Sequence, residues 1–306
     1  MRTFVACMVA ASLAASASAQ ETQPADPDAK RPYSTNGWAL TWADEFDGNG
    51  SPDERFWSHE VGFVRNHEPQ YYTTNRIENC RLQDGVLVLT ARKEQWPNPD
   101  WVDRRLGGWK RQREFADYTS ASIKTAGKKS FLYGRIEVRA QMPSSIGAWP
   151  AIWTLGESIR LPKDDPGYWN WPACGEIDIV ELWANQSNRV ASCLHTSKDA
   201  TREKGPHAVI GGGDLQLKPE EAPWNGFHTY TLDWDEDNVY MYYDGRQYGR
   251  GKLSRGDWPD GQNPFRKPHY LILNLALGGY GNAVSEKSVF PMEFKVDYVR
   301  YFQKRD

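Results

Sequence analysis

The chain is short of long apolar runs, cysteine, basic charge and helical periodicity, and each shortage removes a class of protein. Its longest apolar stretch, residues 4–15, is about 12 residues, whereas a helix needs about 20 to cross a hydrocarbon core. No membrane partner is expected. Lys and Arg number 37 against 40 Asp and Glu, a net charge of −3. With no basic field to hold a polyanion, no nucleic-acid partner is expected either. No Cys/His cluster has zinc spacing, and Gly211-Gly212-Gly213 lacks the Lys-Ser/Thr that follows a phosphate-cradling loop. Of four cysteines, Cys7 lies in the N-terminal apolar run. The odd set Cys80, Cys174 and Cys193 allows at most one internal disulfide, whose pairing spacing cannot decide.

Aromatic residues, by contrast, are abundant: 14 Trp, 15 Tyr and 11 Phe in a chain of 306 residues with a mean hydropathy of −0.73. So many rings in so polar a chain suit a wet, polar partner such as a sugar. Met1-Arg2, the apolar run and Ala17-Ser18-Ala19 read as a signal peptide over residues 1–19, which predicts a secreted protein, extracellular or periplasmic. Residues 20–36, with Pro24, Pro27 and Pro32, read as an N-terminal linker. Residues 37–306 contain no internal repeat and no Pro/Gly-rich divider, and are expected to form one domain and a monomer.

Within that domain the pattern has period two. Val86-Leu87-Val88-Leu89-Thr90, Arg135-Ile136-Glu137-Val138-Arg139-Ala140, Thr229-Tyr230-Thr231-Leu232-Asp233-Trp234, Val239-Tyr240-Met241-Tyr242-Tyr243 and Phe294-Lys295-Val296-Asp297-Tyr298-Val299 are strand-like. Asp84-Gly85 and Asp244-Gly245 are tight-turn dipeptides. No stretch longer than about 10 residues carries a 3.6-residue stripe. The expected class is all-β. Two long loops are expected, at residues 94–117 with Trp96, Trp101 and Trp109, and at residues 157–171 with Trp169.

The most informative segment is Glu176-Ile177-Asp178-Ile179-Val180-Glu181. On a straight strand Glu176 and Asp178 share a face while Glu181, five residues on, points into the opposite, apolar layer. A charged carboxylate there is very costly. One extra residue at Ile179-Val180, a β-bulge, restores parity and puts all three acids on one face. Like charges held close push pKa values apart, so one acid can keep a proton while its neighbour stays ionised. Glycoside hydrolysis uses that division, and a bulged strand allows the carboxyl separation of about 5–5.5 Å that marks a retaining enzyme.

This segment resembles the bulged E-x-D-x-x-E signature of glycoside hydrolase family 16, in its laminarinase-like form. The resemblance extends through Trp42-Ala43-Asp44-Glu45-Phe46, Tyr118-Thr119-Ser120-Ala121, Phe131-Leu132-Tyr133-Gly134-Arg135, Trp149-Pro150-Ala151-Ile152-Trp153, Leu273-Asn274-Leu275-Ala276-Leu277-Gly278-Gly279 and Val296-Asp297-Tyr298-Val299-Arg300, in the family's order. It implies a jelly-roll β-sandwich of two curved antiparallel sheets with an open cleft on the concave face. It implies Glu176 as nucleophile, Glu181 as acid/base, and Asp178 between them as the residue that tunes their protonation. His195, on the following strand, could join the set. Trp171, Trp149 and Trp153 would meet sugar faces, and Asn66 and Glu68 resemble residues that line the cleft, although His67 and Pro69 depart from the family pattern.

A structural calcium is a further implication, through Glu45, Gly85 and Asp297, since hard oxygen ligands suit that ion. No cofactor is required for the chemistry. The expected activity is retaining endo-hydrolysis of a β-linked polysaccharide, a β-1,3-glucan such as laminarin first. A galactan of agarose, porphyran or carrageenan type is the alternative, to which the basic cluster at Arg104-Arg105 and residues 110–113 could contribute. Transglycosylation and non-catalytic polysaccharide binding are further alternatives, the second opposed by the presence of both glutamates.

Overall fold

The computed structural model describes residues 37–102, 107–184, 188–198, 206–279 and 281–305. The expected signal peptide and linker, and the Arg104-Arg105 pair, lie outside the described residues. Seventeen strands follow in chain order among those described: β1 Trp38–Asp44, β2 Ser58–His59, β3 Gln70–Tyr72, β4 Cys80–Gln83, β5 Val86–Pro97, β6 Phe115–Ser120, β7 Ser122–Lys124, β8 Gly134–Gln141 and β9 Ala148–Gly156. Then come β10 Glu176–Glu181, β11 Arg189–Ser197, β12 His207–Gln216, β13 His228–Trp234, β14 Asn238–Tyr243, β15 Arg246–Lys252, β16 His269–Leu277 and β17 Met292–Lys304. The helices among the described residues are single 3-10 turns.

Two curved layers result. One runs β2-β7-β16-β9-β10-β11-β12. The other is built on β17, which pairs with β1 and β5 along one edge and with β8 along the other, and continues through β13, β14 and β15. A short pairing of Gly211 and Gly212 with Gly251 and Arg250 joins the layers at one side. Every pairing is antiparallel except β3 with β6. The Asp84-Gly85 and Asp244-Gly245 turns have both residues at positive φ, as two-residue hairpins of that type require.

Alternation explains the layering. Ile136, Val138 and Ala140 of β8 and Tyr230, Leu232 of β13 meet Ile152, Ile177, Leu194, Leu271 and Leu273 of the facing layer in one continuous core. Between these positions β8 and its neighbours carry charged residues, and Arg135 makes a two-pronged ion pair to Asp233 at 2.6 and 2.7 Å. The other face of the β9-β10-β16 layer carries a separate cluster of Ala151, Trp153, Leu155, Tyr270 and Ile272, capped by Trp169, Ala173, Cys174 and Trp258. An open β-layer with its own second apolar face is a place for a ligand to lie.

The two expected loops are partly different from their reading. β5 continues to Pro97 and β6 begins at Phe115, so the first loop is shorter. Trp96 lies under the Arg76 guanidinium, 4.6 Å from its ring centre, and Trp109 packs on His67 at 4.5 Å. Trp169 of the second loop is buried, edge-on to Trp258 at 4.7 Å. It is a core residue rather than a presented ring.

Candidate active site

The site is built on β10. Against β9, Glu176 faces Leu155, Asp178 faces Trp153, and the register then slips so that Val180 faces Ile152 and Glu181 faces Ala151. Against β11 the same slip falls between Asp178 and Glu181. Ile179 is the extra residue. Because Leu155, Trp153 and Ala151 alternate along β9, the three acids opposite them lie on one face, while Ile177, Ile179, Val180 and Leu182 are wholly buried in the main core. A bulge leaves backbone groups out of the ladder. Here the Tyr248 hydroxyl, reaching across from β15, donates to the Ile179 carbonyl.

Indole N–H groups hold both glutamates. Trp171 Nε1 donates to Glu176 Oε2 at 3.1 Å, and Trp149 Nε1 donates to Glu181 Oε1 at 3.2 Å. His195 faces Glu176 across the β10-β11 ladder and places Nε2 3.2 Å from Asp178 Oδ2 and 3.8 Å from Glu176 Oε1. Its Nδ1 lies 2.6 Å from His207 Nε2, and the His207 ring packs on Trp171 at 5.2 Å. Trp171, His207 and His195 thus form a wall that joins two of the acids.

Burial, and then the charge of Asp178, push Glu176 up to about 8, with His195 and Arg65 opposing. Two carboxyls this close resist ionising together, so the Glu176/Asp178 pair keeps a proton into the neutral range, and that proton belongs to the pair. Burial and His195 push His207 down to about 4. It is neutral at pH 7.

The remaining expected residues divide. Trp153 stands opposite Asp178, with its N–H on Asn274 Oδ1 at 2.7 Å and the Arg65 guanidinium 4.9 Å above its ring. Asn66 is exposed and donates to Glu68 at 3.2 Å. Glu68 itself is only 4% exposed, with its other oxygen on Gln70 Nε2 at 2.7 Å, and Gln70 in turn accepts from the Leu277 N–H at 3.0 Å. Glu68 therefore ties its loop to β16 through Gln70. Three residues escaped the sequence reading: Arg65, His207 and Tyr248. Only Arg65, adjacent to Asn66, had a local signal.

Arg300 grips both Glu45 oxygens at 2.8 and 2.9 Å, and Arg139 holds Asp297 at 2.7 Å. Two guanidinium groups already neutralise the two carboxylates that a calcium ion would use, so no chemistry is assigned to a metal there. Cys80, Cys174 and Cys193 are buried thiols, not disulfides.

The sequence model described as Glycosyl hydrolases family 16 matches residues 67–300. A beta-glucanase of Rhodothermus marinus is 35% identical over 87% of this chain and 85% of its own. A solved structure of an endo-acting O-glycanase, one of those that prominent members of the human gut microbiota express to initiate mucin breakdown, is 36% identical with a TM-score of 0.79, over 90% of this chain and 94% of its own. The laminarinase catalytic domain from Thermotoga maritima is 32% identical with a TM-score of 0.71, over 88% and 99%.

Proposed function

The chain belongs to family 16 of the glycosyl hydrolases, and on that footing we propose that it cleaves β-1,3-glucan chains internally with retention of anomeric configuration. It is a glycoside hydrolase. The observation that carries the mechanism is the slipped register of β10, which turns Glu176, Asp178 and Glu181 to one face. Leu155 and Ala151, the partners of the two glutamates, are four residues apart, about 14 Å along the strand. Retention requires the two glutamate stems to lean toward each other until their carboxyls stand about 5–5.5 Å apart.

In this mechanism Glu176, ionised, attacks the anomeric carbon, and Glu181 gives its proton to the departing glycosidic oxygen. A water then takes the place of the leaving sugar. As Glu181 takes its proton, the water oxygen bonds the anomeric carbon, the bond to Glu176 breaks, and Glu176 leaves as a carboxylate with Glu181 protonated again. The buried Glu176/Asp178 pair shares one proton, with His195 beside Asp178 and the Trp171 N–H on Glu176 holding the two carboxyls in place. Trp149 orients Glu181. No bound group is needed for any step. The signal-peptide pattern of residues 1–19 supports export of the enzyme.

A second reading, endo-cleavage of an O-glycan in place of a glucan, is supported by the likeness to the mucin-directed O-glycanase, whose TM-score exceeds that of the laminarinase domain. The test is to incubate the mature protein with laminarin, lichenan, agarose, porphyran, carrageenan and mucin O-glycans, and to follow new reducing ends and their initial anomer by proton NMR. Release of β-anomers from laminarin is expected. Cleavage of an O-glycan with laminarin untouched would replace the first reading with the second, and initial α-anomers would overturn the mechanism.

A further inference from the structure

Beside the carboxylates lies a set of donors that the hydrolytic mechanism does not use as a set. Asp178 and Cys193 face each other directly across the β10-β11 ladder. His195, two residues along β11, shares the face of Cys193. One carboxylate oxygen, one sulfur and one imidazole nitrogen from these residues lie within 4.8 Å of one another, and Asp178 and Cys193 are buried. We propose that Asp178, Cys193 and His195 bind a borderline-soft divalent cation, zinc being the best fit, and that the bound ion shuts the catalytic face down.

The geometry and the donor chemistry agree. Two ligands held about 2.0–2.1 Å from a tetrahedral zinc stand about 3.4 Å apart, and His195 Nε2 is 3.2 Å from Asp178 Oδ2. Mixed sulfur, nitrogen and oxygen donors select zinc, and also copper, over calcium or magnesium, which prefer oxygen alone. A second observation is independent of the cluster. The other ring nitrogen of His195 is held by His207 at 2.6 Å, the kind of outer contact that fixes a metal-binding imidazole in tautomer and direction. With Nδ1 so engaged, Nε2 is turned toward Asp178. Glu176 Oε1, 3.8 Å from that nitrogen, stands where a fourth ligand would.

Binding is a ligand exchange with no redox change. Zinc leaves its waters, the Cys193 thiol gives up its proton to solvent, and His195 Nε2 offers its lone pair. The bound ion then takes the Asp178 oxygen and the imidazole that support Glu176. Inhibition rests on the function proposed above; the binding itself does not.

The experiment uses the full mature chain. Titrated with Co²⁺, it should develop the near-ultraviolet charge-transfer absorption of a cobalt–thiolate bond, and Zn²⁺ should remove it. Cys193→Ser, and Cys193→Ala as a second variant should the first not fold, should lack the band. In turnover, Zn²⁺ should inhibit the wild type reversibly, with recovery on chelation, while Ca²⁺ and Mg²⁺ at the same concentration do not. Cys193→Ser should keep the metal-free rate and need about 10-fold more Zn²⁺ for half-inhibition. Absence of the cobalt band in the wild type, or an equal band or equal zinc sensitivity in the Cys193 variants, overturns the site. A chain that shows the band but degrades no substrate keeps the metal site and loses the proposed function.

Discussion

Tyr248→Phe removes one hydroxyl and tests whether the bulge is held from outside its own strand. In the wild type that hydroxyl donates to the carbonyl of Ile179, the extra residue of β10, which sits wholly buried in the main core. Phenylalanine keeps the ring and its packing and leaves a buried acceptor unmet, at a cost of about 1–3 kcal/mol. For a domain of this size each kcal/mol lowers Tm by about 2–4 °C, so a fall of roughly 2–12 °C is expected by calorimetry. The same loosening lets Glu181 drift relative to Glu176. Displacements on the order of 1 Å cost as much as about 100-fold in rate, and a fall in kcat of between about 3-fold and 100-fold, with KM little changed, is the expected kinetic signature. A variant with unchanged Tm and unchanged kcat would refute the reasoning and leave the bulge to strand pairing alone.

Glu176→Gln should abolish turnover and keep oligosaccharide binding, as measured by calorimetric titration. It also carries a stability signature. A carboxyl whose pKa rises from 4.5 unfolded to about 8 folded binds its proton more tightly in the fold, so its contribution is intact below pH 4.5 and lost as pH climbs to 8. The Tm of Glu176→Gln should therefore match wild type near pH 4.5 and exceed it increasingly toward pH 8; a constant difference across that window would count against the raised pKa. Asp178→Asn removes the like charge beside Glu176, so the acidic limb of its pH profile of kcat/KM should move to lower pH, and an unmoved limb would deny the coupling. His207→Ala frees His195 Nδ1 from its 2.6 Å partner and should lower kcat by about 10-fold, one hydrogen bond's worth, with Tm nearly unchanged; wild-type kcat would make His207 a bystander. Gly279→Ala places a methyl 2.6 Å from the Trp149 ring at a φ of 81°, so Trp149 must move off Glu181 and kcat should fall, whereas wild-type kinetics would show that the Trp149 contact is dispensable.

What was legible in the sequence was legible through parity. Glu181 could not face the apolar layer, Ile177, Val180 and Leu182 could not face solvent, and one inserted residue reconciles both demands. The period-two runs of β8, β13, β14 and β17 were equally plain because each alternates core residues with more polar ones. The far half of β5 was not, since residues 92–97 pair only with β6 and residues 92–95 are all polar, leaving no apolar rhythm to read. Glu68 illustrates a different limit. Its motif position pointed to a ligand, and only the loop's fold shows that Asn66 and Gln70 hydrogen-bond its carboxylate. His207 and Tyr248 act through contacts 12 and 69 residues away along the chain, a distance at which spacing carries no information. Arg65, next to Asn66, had a local signal, but its place over the Trp153 ring comes from where strand and loop meet.

One residue of slippage sets Glu181 on the face that Glu176 already occupies, so that Glu176 attacks the anomeric carbon while Glu181 supplies the proton. Trapping answers it most directly: inactivate the enzyme with a 2-deoxy-2-fluoro glycoside of its oligosaccharide substrate, digest, and locate the added sugar mass by tandem mass spectrometry. The sugar should sit on Glu176, and Glu181→Ala should not shift it. A sugar found on Asp178 or Glu181, or rapid turnover of a laminarin chain to the inverted anomer with no adduct at all, would contradict the claim.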